Sequence, residues 1–162
     1  MMRGLVLFVA GILVGVTAQS GLAQQPGQVV LNHVGISVPN VNDAVAYYTQ
    51  KMGFREAFRG PIDQSTGQPA LVYMHISRDT FLEIQPVTPQ RPAGISHFGL
   101  QVPNMKEAVA RYRAAGATVT DPNVSANTKA VLANVSDPHG NRAELGELTP
   151  ESLHRQAIER WK

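Results

Sequence analysis

One stretch of this chain is written twice. "LNHVGISVPN", residues 31–40, returns as "ISHFGLQVPN", residues 95–104. At an offset of 64, residues 31–48 and 95–112 agree at nine of eighteen positions. His33 matches His97 and Gly35 matches Gly99. Val38-Pro39-Asn40 matches Val102-Pro103-Asn104, Ala44-Val45-Ala46 matches Ala108-Val109-Ala110, and Tyr48 matches Tyr112. A duplicated unit packs against its own copy, so the repeat sets the architecture before any local reading.

Each copy opens with strict alternation. Val34, Ile36 and Val38 oppose His33, Gly35 and Ser37; Phe98, Leu100 and Val102 oppose His97, Gly99 and Gln101. That is a half-buried strand, stopped by a proline. Asn40 and Asn104 are suitable N-caps for helices over residues 41–52 and 105–115, closed by Gly53 and Gly116. Three short strand-like runs follow each helix, at 54–59, 70–77 and 80–85 and at 117–120, 129–135 and 142–148. Turn-rich pieces separate them. The prediction is an α+β fold of two tandem βαβββ modules, about residues 30–86 and 94–148, and a tail helix over about 150–162 with Thr149 as N-cap.

Residues 1–23 read as a secretory signal peptide. Arg3 precedes the apolar run 4–18, and Gly21-Leu22-Ala23 offers small residues at a cleavage site. The run is short against the about 20 residues of a membrane span, although an uncleaved anchor is the alternative. The expected product is exported, periplasmic or secreted, with no stable membrane insertion once cleaved, as a single domain over 24–162. With no cysteine, that domain rests on its own core. A net charge of +2 with no basic stripe excludes nucleic acid as a partner.

Parity also sorts the polar residues. Leu82 and Ile84 oppose Phe81, Glu83 and Gln85; Ala143 and Leu145 oppose Arg142, Glu144 and Gly146. His33, Glu83, His97 and Glu144 therefore share one type of surface, and a curved pairing of the copies turns it into a trough. Each of the four alone reads as a structural or solvated residue. Together they present two imidazoles and two carboxylates, and sheltered carboxylates need a counter-charge such as a divalent cation. The glycines two residues after each histidine leave room for a bound molecule. His75 reads as a packing or hydrogen-bonded residue. His139, in a turn, and His154, on the tail helix, are expected to face solvent. No nucleophile elbow, phosphate loop, dinucleotide fingerprint or zinc-protease motif is present.

Together, "LNHVGISVPNVNDAVAYYTQKMGF", "FLEIQ", "ISHFGLQVPNMKEAVARYRAAG" and "DPHGNRAELGEL" resemble the vicinal oxygen chelate superfamily. That group includes glyoxalase I, methylmalonyl-CoA epimerase, extradiol dioxygenases and bleomycin- and fosfomycin-resistance proteins. The resemblance covers about residues 30–148. It implies a cup-shaped mixed sheet with helices on the outer face, often in a homodimer. It puts a divalent metal (Zn, Ni, Co, Mn or Fe) on His33, Glu83, His97 and Glu144. It makes Glu144 the catalytic base, with Glu83 its partner.

On that resemblance the chain is expected to be a glyoxalase I-like lyase or isomerase. It would move a proton through a metal-chelated enediolate of a small oxygen-chelating substrate. The family's glutathione contacts fall on Ser37 and Val87, where its arginine and asparagine are missing, which argues against glutathione. Two alternatives stay open: an extradiol-type dioxygenase with iron on His33, His97 and Glu144, and a non-catalytic small-molecule or drug binder.

Overall fold

A computed structural model describes residues 29–162. The signal-peptide reading of residues 1–23 lies outside the described residues. Strand β1 (Val30–Val38) leads into helix α1 (Val41–Met52), then β2 (Arg55–Arg59), a small hairpin of β3 (Ile62–Asp63) and β4 (Gln68–Pro69), β5 (Val72–His75) and β6 (Phe81–Pro86). The second copy runs β7 (Gly94–Gln101), α2 (Met105–Ala114), β8 (Thr118–Val119), β9 (Asn123–Val124), β10 (Val131–Ser136) and β11 (Arg142–Glu147), and α3 (Leu153–Arg160) follows.

The main sheet has the order β2-β5-β6-β1-β7-β11-β10-β8, with β9 also on β10. Its centre is the antiparallel seam between β1 and β7. On either side of that seam the order repeats: β6 runs parallel to β1, and β11 parallel to β7. The duplicated sequence thus becomes a duplicated half-sheet, joined strand to matching strand.

The module helices start where the sequence places them. Asn40 and Asn104 accept from the backbone N–H of Asp43 and Glu107 through their side chains, each cap stabilising by about 1 kcal/mol. A second side chain reaches each helix start from afar: Gln68 Oε1 accepts from the Val41 N–H, and Glu147 Oε2 from the Met105 N–H, both at 2.7 Å. Gly53 and Gly116 take the left-handed conformation after the helices, at φ 71° and 84°.

Helix α1 packs Val41 with Val72, Met74, Leu82 and Ile84. Helix α2 packs Met105, Ala108 and Val109 with Ala133 and Leu145. Both helices cover the face expected from parity. Among the described residues no helix is long and apolar enough to cross a membrane.

The tail helix departs from expectation at its cap. It is capped by Ser152, whose hydroxyl accepts from the Arg155 N–H, not by Thr149. Residues 149–152 turn instead (Ser152 N–H to Thr149 O, 3.0 Å), and the Leu153 N–H bonds Thr128 O at 2.8 Å. Docking against residue 128 decides where the helix begins. On the sheet, α3 sets Ala157 and Ile158 against Leu71, Tyr73 and Phe81. On β5, Tyr73 alternates with Val72 and Met74, so α3 lies on the face opposite α1 and α2.

Candidate metal centre

Across the β1–β7 seam His33 stands opposite Gly99, and His97 opposite Gly35. Opposed residues of an antiparallel pair project to the same face, their Cβ positions about 4.5–5.5 Å apart. Each imidazole therefore lies over the glycine facing it. A Cβ on Gly35 would fall into the His97 ring, and one on Gly99 into the His33 ring. The room these glycines leave is filled by the opposing histidine, not by a bound molecule. Register irregularities bracket the pair, between Leu31 and His33 and between Gly35 and Ile36. The outcome is an Nε2–Nε2 distance of 3.0 Å.

The parallel neighbours bring the carboxylates. Glu83 on β6 places Oε2 at 3.0 Å from His97 Nε2 and 3.6 Å from His33 Nε2. Glu144 on β11 places Oε1 at 3.7 Å from His33 Nε2. His33, Glu83 and His97 form a compact set, with ligand atoms within 4.8 Å of one another. Glu144 stands at its margin, where Oε2 lies 3.4 Å from Arg142 Nη1. Burial differs in the same sense: the side chains of His97, His33 and Glu83 are 0%, 4% and 4% exposed, that of Glu144 13%. All four belong to one chain.

The protonation pattern tests whether a cation fits. Asn32 Oδ1 lies 2.9 Å from His33 Nδ1, which makes Nδ1 the protonated nitrogen and leaves Nε2 a lone pair aimed inward. Ser96 Oγ meets His97 Nδ1 at 2.9 Å, a contact in which the hydroxyl can either accept or donate. Burial, above all, draws His33 down from 6.5 to about 4, only partly offset by Glu83, so the ring is neutral. Burial alone would raise Glu83, but the adjacent His97 and His33, with Gln85 donating to Oε1, outweigh it and hold the carboxyl at about 2.

Near neutral pH the centre thus holds an ionised Glu83 beside a neutral His33, yet among the described residues Glu83 Oε2 is buried without a hydrogen-bond partner. One proton on His97 Nε2 could serve only one of the two acceptors facing it. A divalent cation serves all three, and donor separations of 3.0–3.6 Å suit bonds of about 2.1 Å. The residues present fit a metal.

Glu144 behaves differently. Burial first, then the charge of Glu83, pushes its carboxyl above the ordinary range, against the pull of His97 and Arg142. Arg142 Nη1 also donates to Asn134 Oδ1 at 2.9 Å, which fixes the guanidinium beside Glu144. Tyr73, cross-strand from Glu83, lies edge-on to His33 at 5.3 Å.

His154 overturns its expectation. It is 2% exposed, against Tyr73 (4.4 Å between ring centroids), Phe58 (4.9 Å) and Phe81 (5.6 Å), and stacked over His33 at 6.2 Å. His154, Ala157 and Ile158 recur at i, i+3 and i+4, the spacing of a buried stripe, and that signal was available in the sequence. Among the described residues neither ring nitrogen has a partner. Burial, then His33, holds the ring neutral at about 3. Stranding a buried polar group costs about 1–3 kcal/mol.

His75 is buried with Nδ1 3.1 Å from Ser77 O and packs on Trp161, away from the centre; His139 is exposed in its turn. The supporting residues Asn32 and Ser96 carried no sequence assignment. Their signal was positional: they are repeat-related and immediately precede the two histidines.

Residues 30–145 match the family model described as the Glyoxalase/Bleomycin resistance protein/Dioxygenase superfamily. No curated protein matches the chain by sequence. Among solved structures, a methylmalonyl-CoA epimerase from Mycobacterium tuberculosis is similar at 17% identity and TM-score 0.63, over 75% of this chain and 89% of that one. A hypothetical protein from Bacillus halodurans is similar at 19% identity and TM-score 0.62, over 75% and 96%. So is a Streptomyces coelicolor methylmalonyl-CoA epimerase variant in complex with 2-nitronate-propionyl-CoA, at 19% identity and TM-score 0.58, over 75% and 96%. At such identities the likeness concerns the fold.

Proposed function

Because the chain belongs to the glyoxalase/bleomycin resistance protein/dioxygenase superfamily, we propose that it is a metal-dependent enzyme of the glyoxalase-like kind. It moves a proton, in lyase or isomerase fashion, on a small substrate that presents two adjacent oxygens. The observation that carries this reading is the buried meeting of His33 Nε2, His97 Nε2 and the unpartnered Glu83 Oε2. His33, Glu83 and His97 would hold the cation, with Glu144 as a fourth donor from the margin. Bound there, a divalent cation supplies Lewis acidity and lowers the cost of negative charge on a substrate oxygen.

Glu144 is the proton carrier in this reading. Its raised affinity for protons brings it nearer neutrality, where a group both takes and returns a proton well. Arg142 steadies its second oxygen. Glu83 stays ionised and offsets the cation's charge. Ser37 is only 1% exposed, which supports a small substrate rather than glutathione. The epimerases of similar fold support an enzyme over a passive binder. Residues 1–23 would export it, which N-terminal sequencing of periplasmic protein checks.

Glu144→Gln tests the proposal. Turnover in a screen of hydroxy-ketones and thiohemiacetals should fall at least about 100-fold, with cation content and melting temperature retained. Unchanged turnover, or a parent protein without a cation, would overturn it. One observation favours a second reading. The compact set is two histidines and one carboxylate, a pattern that suits non-haem iron. Aerobic catechol cleavage with Fe²⁺, and none with Zn²⁺ or Ni²⁺, would establish the dioxygenase instead.

A further inference from the structure

The His33 ring is backed by a segment outside both copies of the repeat. Helix α3 contributes just two buried residues, His154 and Ala157. Ala157 packs as expected of an apolar residue. His154 does not suit its surroundings: three aromatic rings enclose it, the His33 ring lies over it, and neither nitrogen meets a donor or acceptor among the described residues. A phenylalanine would fill the same aromatic pocket without stranding polar atoms. Its placement is also well defined. One residue earlier the Leu153 N–H is bound to Thr128 O, and the Ser152 cap is fully buried.

Buried polar groups are almost always paired, so an unpaired one points to a partner outside the protein. Its position identifies that partner. His154 shares one buried group with Tyr73 and His33, and both of these neighbour Glu83, whose Oε2 is unpartnered among the described residues. We propose that His154 is a binding residue of the site, whose imidazole hydrogen-bonds an oxygen of the small molecule held at the His33–Glu83–His97 centre. Helix α3 is then a wall of the binding site, and the tail lends it a group that neither copy of the repeat supplies. This rests on the metal reading above and adds the hydrogen bond that orients the ligand. Neutral imidazole carries one donor and one acceptor, which suits a ligand with both hydroxyl and carbonyl oxygens.

Acetohydroxamate, a small two-oxygen chelator, is the probe. His154→Phe keeps the aromatic packing and removes both nitrogens. In metal-loaded protein its acetohydroxamate affinity should fall about tenfold or more, while Zn²⁺ affinity by chelator competition stays within about twofold and the cation-free melting temperature holds or rises. His154→Gln should recover part of the loss. In the parent protein, the ¹⁵N resonances of the His154 ring should move on adding acetohydroxamate. Parental acetohydroxamate affinity in His154→Phe, or an unmoved ring resonance, overturns the proposal. So does a tenfold loss of Zn²⁺ affinity, which would make His154 part of the cation site itself. If His154→Phe fails to fold, His154→Leu is read in the same way. Parent protein that takes up no cation overturns the metal reading and this proposal with it; normal uptake with undiminished probe binding overturns this proposal alone.

Discussion

Gly99→Ala adds one methyl group to the seam and should disable a histidine in the other copy. The new Cβ would lie far inside van der Waals contact of Cε1, Nδ1 and Nε2 of His33. The ring has no easy retreat, since Tyr73 and His154 back it. Either His33 leaves its rotamer or β1 and β7 part locally. Overpacking of this kind costs about 1–3 kcal/mol, which lowers the melting temperature by roughly 4–10 °C for a domain of this size. Both escapes move His33 Nε2 off the centre. Cation affinity should therefore fall by more than the roughly 10–100-fold that disturbing a supporting partner costs.

The assay is a thermal melt of cation-free protein by circular dichroism, paired with a Zn²⁺ titration against a chromophoric chelator. Gly35→Ala should reproduce both effects through His97. Gly146→Ala is the control: its Cβ would meet nothing closer than Leu132 Cδ2 at 3.7 Å, so it should behave as the parent. A Gly99→Ala protein that melts and binds Zn²⁺ as the parent does would refute the packing argument.

Two further outcomes follow from the protonation of the centre. His33 and His154 titrate at about 4 and about 3 instead of 6.5, so the unfolded chain takes up protons first as pH falls. Cation-free stability is then whole above pH 6.5 and declines toward pH 4 for His33 and pH 3 for His154, by up to about 1.4 kcal/mol per pH unit per histidine. Urea unfolding across that window checks it, and a flat profile contradicts the neutral-imidazole assignment. Asn32→Ala removes the acceptor that fixes the His33 tautomer, so Zn²⁺ affinity should drop about tenfold or more while far-ultraviolet circular dichroism is unchanged; parental affinity would show that Asn32 Oδ1 does not orient the ring.

Much of this was legible in the residues because the repeat and the strand period are redundant signals. His33 and His97 are in phase with Gly35 and Gly99, and Glu83 alternates with Leu82 and Ile84, so one apolar face implies the other. What escaped was what alternation does not encode. The glycines looked like space for a ligand, since the register that sets each against a histidine exists only once β1 pairs with β7. Helix α3 belongs to neither copy, so no repeat partner indicated which face it would take. A tail histidine among Glu151, Arg155 and Glu159 looks solvated until that face is known. The short strands β3, β4, β8 and β9, two residues each, have no period to read.

The crosswise fit of histidine over glycine carries a consequence for descent. Duplication ordinarily frees one copy to drift while the other keeps working. At these two pairs that liberty is withdrawn, because a change at Gly35 is suffered by His97, and a change at Gly99 by His33. Each half is hostage to its twin, and the halves can only age together.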